Sequence, residues 1–133
     1  MIHTSLYNML KSNANLVAEF GGRVFHEWAP QSNEVWPVLV FTQIAGIEFA
    51  EDMDNPSGEK IEQVSYQMDT YARNSADAVR AGDVVDSVLR NYRGTMGTVS
   101  VQHVQRVNLT HLGERVGDKQ VRRVSADYVI WYN

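Results

Sequence analysis

Between Arg123 and Tyr132 the chain alternates, with Val124, Ala126, Tyr128, Ile130 and Tyr132 interleaved with Arg123, Ser125, Asp127, Val129 and Trp131. A repeat of two sends successive side chains to opposite faces, so this segment is read as a strand with one face on a core. The same repeat runs through Glu59–Ala72: Val64, Tyr66, Met68 and Thr70 share one face, and Gln63, Ser65, Gln67, Asp69 and Tyr71 the other. Between the two strands the period changes. After Asn74 or Ser75 as an N-cap, Ala78, Ala81, Val85, Val88, Leu89 and Tyr92 recur at helical spacing. Strands and helix each need cover for an apolar side, which predicts an α+β layer packing, helices on one face of a mostly antiparallel sheet. Gly82 lies inside the helix, where glycine costs about 1 kcal/mol relative to alanine, so a close packing contact is expected there.

The remaining elements follow from local signals. Leu6, Met9, Leu10, Asn13, Val17 and Phe20 give a first helix, with Asn13-Ala14-Asn15 as a candidate break and Gly21-Gly22 as its stop. Arg23–Trp28 reads as a short strand, and Trp36–Ile44 as a β-branched one with Pro37 at its start or on an edge. Gly46–Gly58 reads as a long acidic loop, and Gly94–Gly97 as the end of the helical region. A strand begins with Val99, Val101 and either His103 or Val104 and runs towards Leu109, and Gly113–Asp118 turns into the last strand. The expected order is α-β-β-β-α-β-β within a single domain over residues 1–133. Val129 and Trp131 lie on the supposedly outer face of the last strand, which suggests that this face too is covered, by a partner subunit.

Composition narrows the function classes. With 133 residues and 44% hydrophobic content a core can form unaided, and with no cysteine there are no disulfides, thiolate metal sites or thiol nucleophiles. No apolar run approaches the ~20 residues of a membrane helix, and Met1–Ser5 lacks the basic and apolar blocks of a signal peptide, so a cytosolic protein is expected. The net charge of −4 is unevenly spread: the first 62 residues hold nine acidic side chains and three basic ones, the remainder seven acidic and nine basic. An acidic chain without a lysine or arginine run makes a poor autonomous nucleic-acid binder, whereas opposite charge on two sides would guide subunits to pack front to back.

No catalytic constellation stands out. His3, His26, His103 and His111 lack metal-ligand spacing, although His103 and His111 fall in one strand–loop region. There is no Gly-x-Ser-x-Gly elbow and no phosphate-binding glycine loop. Glu48, Glu51, Asp52 and Asp54 do not match a twelve-residue calcium loop, so a solvated loop is preferred over a cation site, with a partner-binding loop ranked between the two. Arg122 and Arg123 are the most basic pair, but alternation puts them on opposite faces of a strand.

Taken in order, several segments do carry a likeness. Leu6–Lys11 with Leu16–Ala18, Gly22-Arg23-Val24-Phe25, Ala29-Pro30-Gln31, Trp36–Val40, Tyr66–Ala72, Ala76–Val79 and Arg123–Tyr132 together resemble the tail completion (tail terminator) family of long, non-contractile-tailed bacteriophages and prophages. The resemblance spans roughly residues 5–132, with departures in the acidic Gly46–Gly58 loop and at Thr70. It implies a non-enzymatic virion protein, assembled in the host cytoplasm. Such a protein forms a ring, commonly a hexamer, on the head-proximal end of the tail tube, ends tube polymerisation and offers the head connector or stopper a surface. DNA would pass through the lumen unrecognised, and neither cofactor nor metal nor membrane is implied. Glu48, Phe49, Glu51, Asp52, Met53, Arg115, Arg122 and Trp131 are the candidate assembly contacts. The alternative is a ferredoxin-like small enzyme or ligand-binding dimer with Tyr66, Trp131, His103 and Asp127 around a pocket.

Overall fold

The computed structural model describes residues 2–27, 36–48, 62–116 and 119–133. Among these residues three helices, α1 (Ile2–Ser12), α2 (Ala14–Phe20) and α3 (Ser75–Leu89), accompany six strands: β1 (Val24–His26), β2 (Val38–Glu48), β3 (Glu62–Ala72), β4 (Gly94–Met96), β5 (Val99–Val116) and β6 (Lys119–Tyr132). The sheet order is β1-β2-β3-β6-β5-β4, with β1 parallel to β2 and every other pair antiparallel. The protein is therefore an α+β fold of the expected kind.

Local chemistry explains the ends of the elements. Asn13 splits the N-terminal helical region because its side chain accepts hydrogen bonds from the Asn15 and Leu16 amides, starting α2 afresh. Gly21 ends α2 with φ 59°, a left-handed conformation that glycine adopts without strain. At the start of α3 the Asn74 side chain accepts from the Asp77 amide at 2.8 Å, selecting Asn74 as the cap.

The core lies between the helices and one face of the sheet. Leu6, Leu10, Leu16, Phe20, Ala81, Val85 and Leu89 meet Leu39, Phe41, Val64, Tyr66, Met68, Tyr128 and Ile130, all buried. The alternation in β3 and β6 thus points to the core as the sequence indicates. Gly82 is where α3 comes closest to the sheet: a Cβ there would sit 3.1 Å from Val124 Cγ1.

Several boundaries differ from the sequence reading. β2 does not stop at Ile44; Gly46, Ile47 and Glu48 pair with Val64, Gln63 and Glu62, so the start of the supposed acidic loop is strand. A bulge at Ile44, between Gln43 and Ala45, breaks the period and hides this continuation. Likewise β5 continues through Gly113 to Val116, because β6 supplies ladder partners that override the local turn signals. Gly94–Met96, read as the end of a helix, instead forms β4 against Val99–Val101. Finally, a register shift between Val101 and His103 puts Val104, not His103, in the core.

Candidate assembly surface

The strand registers, traced across the sheet, fix where the described candidate residues lie. At one end Glu48 is opposite Glu62, Glu62 opposite Tyr132, and Tyr132 opposite Val101. At the other end Val38 is opposite Tyr71, Tyr71 opposite Arg123, and Arg123 opposite Leu112. Ten residue steps along β3 separate the Glu62 and Ala72 ranks, an end-to-end span of roughly 33 Å. Beyond Ala72, β5 and β6 continue alone as a two-stranded ribbon through the Glu114–Val121, Arg115–Gln120 and Val116–Lys119 pairs.

The candidate contacts fall into two separate groups on this frame. Glu48 lies at the acidic end, where Trp131, opposite Gln63 and His103, joins it. Phe49, Glu51, Asp52, Met53 and Asp54 lie outside the described residues. Arg115 is in the ribbon rather than in a turn, and Arg122 is exposed at the far end, opposite Gly113. The structure therefore does not bring Glu48 together with Arg115 or Arg122 within one chain.

On the face away from the helices, Asp69 is 6% exposed and accepts from Arg123 Nε at 3.1 Å. Gln67 Nε2 donates to both of its oxygens, at 2.9 and 3.0 Å. The Arg123 guanidinium also lies 5.9 Å from the Tyr71 ring centroid, so this arginine is committed to its own sheet. His103 and Trp131 stack with centroids 5.7 Å apart. Val129, offered above as a sign of a covering partner, is 7% exposed in the single chain. Its burial requires no second subunit, which removes that reason for placing a partner on this face.

Under the helices, the Tyr128 hydroxyl donates to Asp86 Oδ1 at 3.0 Å, and Arg106 and Arg90 lie 3.4 and 3.5 Å from the same carboxylate. Burial, reinforced by Asp86, pushes the Tyr128 hydroxyl's pKa well up. Burial alone raises Tyr66 to about 12, and its hydroxyl is buried without a hydrogen-bond partner among the described residues. His3 and His26 pack edge to face at 4.2 Å beside Phe41, a pairing with no trace in their spacing. Burial and then the neighbouring His26 lower the pKa of His3.

Among the described residues these groups do not converge on one site. Tyr66 points into the core while Trp131, His103 and Asp127 belong to the opposite face, so the pocket proposed for an enzyme is not assembled by those residues. His103 and His111 are also on opposite faces, because His103 pairs with Trp131 and His111 with Val124. Among the described residues no cluster of three or more histidine, aspartate or glutamate side chains could hold a metal ion. The groove under α3, between Val79, Asp83, Arg106, Leu109 and His111, has about 20 Å³ of free space, room for little more than water. A wider trough of about 410 Å³ lies beside Trp36, Ala72, Arg73, Asn74, Asp77 and Arg80. Its polar groups already serve the fold: Asn74 caps α3, and Arg80 pairs with Glu19 and Asp77, each at 3.2 Å. No helix among the described residues is long and apolar enough to cross a membrane.

No protein-family model and no curated protein matches the sequence. The fold does match a solved structure. A chain from the "Virion of native gene transfer agent (GTA) particle" superposes with a TM-score of 0.68 at 14% identity, over 98% of this chain and 93% of that one. At that identity the likeness is one of fold, and what it establishes is that this α+β architecture, over almost its whole length, is one found in a chain of a gene transfer agent virion.

Proposed function

We propose that the protein is a structural component of a phage-like virion, and more specifically a tail terminator. In this reading copies of the chain form a ring, six-membered as the family resemblance implies, on the head-proximal end of the tail tube. The ring ends polymerisation of the tube protein and presents the joining surface to the head's connector or stopper. DNA passes through its lumen without sequence recognition, and assembly takes place in the host cytoplasm. The observation that carries the reading is the fold shared with the virion chain along nearly the whole sequence. Glu48 and Arg122 lie at opposite ends of the sheet, so they do not pair within one chain, which leaves both for contacts with other chains in this reading. Glu48 with Phe49, Glu51, Asp52 and Met53 would form one side of such contacts, Arg115 and Arg122 the other, with Trp131 beside the acidic end.

Negative-stain images of the purified protein, alone and mixed with tail tubes, test this directly. Annular particles and tubes capped at one end are expected. Tubes that stay uncapped and keep growing in excess protein would overturn the terminator assignment. Binding to head connectors but not to tubes would move the protein to the stopper position in the neck.

A further inference from the structure

The parallel strand β1 is a slight part of the sheet. It has three residues, and its strand partner among the described residues is the Leu39–Phe41 stretch of β2. The Leu39 amide donates to the Arg23 carbonyl at 3.0 Å, and the Glu27 amide to the Phe41 carbonyl at 2.9 Å. Three residues of parallel pairing give little hold, since the parallel ladder is the less stable of the two per residue. Side chains of α1 supply the rest of the fastening.

That fastening is made of rings. His3, in the first turn of α1, lies edge to face with His26 of β1, with centroids 4.2 Å apart. Both rest on Phe41, at 5.6 and 5.1 Å, and Tyr7 reaches the same ring at 5.8 Å. Phe41 is fully buried beneath them. Imidazole is the side chain whose charge changes between pH 5 and 8, and two of them meet here on an apolar floor at the edge of the sheet.

The chain leaves β1 through a strained residue. Glu27 has φ 70°, a left-handed conformation that a residue with a side chain keeps only where its surroundings impose it. Its carboxylate lies 3.7 Å from His26 Nε2. Around His3, then, β2 presents the uncharged Phe41 ring, β1 presents His26 with Glu27 at its end, and α1 itself carries Lys11, 5.2 Å from the Tyr7 ring centroid. Burial first, and repulsion from His26 second, lower the pKa of His3, with Glu27 offsetting part of the fall. The docked form therefore takes up a proton less readily than a released one. Docking is favoured above the free value of 6.5 and loses that advantage as pH falls through the lowered value.

We propose that His3, His26 and Glu27 form an acid-opened latch, which holds β1 on β2 at neutral pH and lets β1 and the first turn of α1 lift away when the histidine pair is protonated. Opening frees the Leu39 amide and the Phe41 carbonyl on the side of β2 away from β3, and uncovers the Phe41 ring. The latch belongs to the single chain and stands apart from the ring reading above.

Amide hydrogen exchange on the full chain, followed by NMR at pH 7.5 and pH 5.0, reads the latch. After correction for the intrinsic pH dependence of exchange, the Leu39 and Glu27 amides should lose protection at least threefold at pH 5.0 relative to amides of the β3–β6 pair. His3→Phe keeps a ring on Phe41 but removes one proton site, and should at least halve that loss. Glu27→Gln, at an exposed position, removes the carboxylate that offsets charge on the pair, and should deepen the loss at pH 5.0. The imidazole resonances give a second measurement: His3 should titrate below 6.5 in the wild type and move towards 6.5 in His26→Phe. Relative protection that is the same at both pH values, or a loss shared equally by the β3–β6 amides, would overturn the latch. So would a pH dependence that persists undiminished in His3→Phe, or a wild-type His3 that titrates at 6.5.

Discussion

Asp69 holds together the polar layer on the helix-free face, accepting from Arg123 and Gln67 while 6% exposed. Asp69→Ala removes an acceptor shared by two donors, one of them charged, and should cost about 1–3 kcal/mol in urea denaturation. The alternation alone marked Asp69 as a solvent-facing residue; its partner is 54 positions away on β6, and only strand pairing brings the two together. A second prediction concerns the two buried tyrosines. Folding raises Tyr66 from 10 to about 12 and Tyr128 further. Both are protonated in folded and unfolded chains below pH 10, but above it the unfolded chain releases protons that the folded one retains. Stability is therefore full below about pH 10 and falls as pH rises through the folded values. Tyrosinate absorbance should show two residues ionising late and together with loss of the fold. Tyr66→Phe should reduce the steepness of that loss, and an unchanged alkaline midpoint and slope would contradict it.

At the scale of elements, α3 is governed by one face. Val85 is 2% exposed, so Val85→Asp places an unpaired charge against the sheet at a cost of several kcal/mol, and should leave the protein insoluble or without a cooperative melt. Gly82 is subtler. Gly82→Ala would gain about 1 kcal/mol of helix propensity but press a methyl to 3.1 Å from Val124, so near-neutral stability is expected. In a Val124→Ala background the same change should stabilise by up to about 1 kcal/mol, and a double-mutant cycle by thermal melting reads the difference. The periodicity of α3 and β3 was legible because both bury one continuous face. The ends of β2 and β5 were not, because bulges at Ile44 and Val107 interrupt the period and the ladder partners that extend those strands are distant in sequence.

For the whole molecule, the connection between β2 and β3 remains the first choice for an assembly contact, with its limits redrawn. Deleting residues from Gly46 would remove ladder pairs with Val64, Gln63 and Glu62 and weaken the sheet itself. Shortening confined to residues 50–60 should instead leave the monomer's melting temperature near wild type while tube capping fails, with unjoined heads and tails as the outcome in phage. If acidic residues here meet Arg115 or Arg122 of a neighbour, assembly should also weaken at high salt, since exposed charges are screened within about 8–10 Å at physiological ionic strength. Normal joining by the shortened protein would remove this segment from the mechanism, and salt-independent assembly by the intact one would remove only its electrostatics.

The sequence by itself determined the α+β class, the inward faces of β3, β6 and α3, a break near Asn13–Asn15, a stop at Gly21-Gly22, a cap for α3 at Asn74 or Ser75, and the want of cysteine chemistry. All of these depend on neighbours in the chain or on composition. Tertiary structure decided what depends on distant partners. It separated Tyr66 from Trp131, His103 from His111, and Glu48 from Arg122. It also placed β1 and β2 along one edge of the sheet and β5 and β4 along the other. Strand order is set by long-range pairing that no local pattern encodes, and in this protein that order decides which edges are left for another chain to meet.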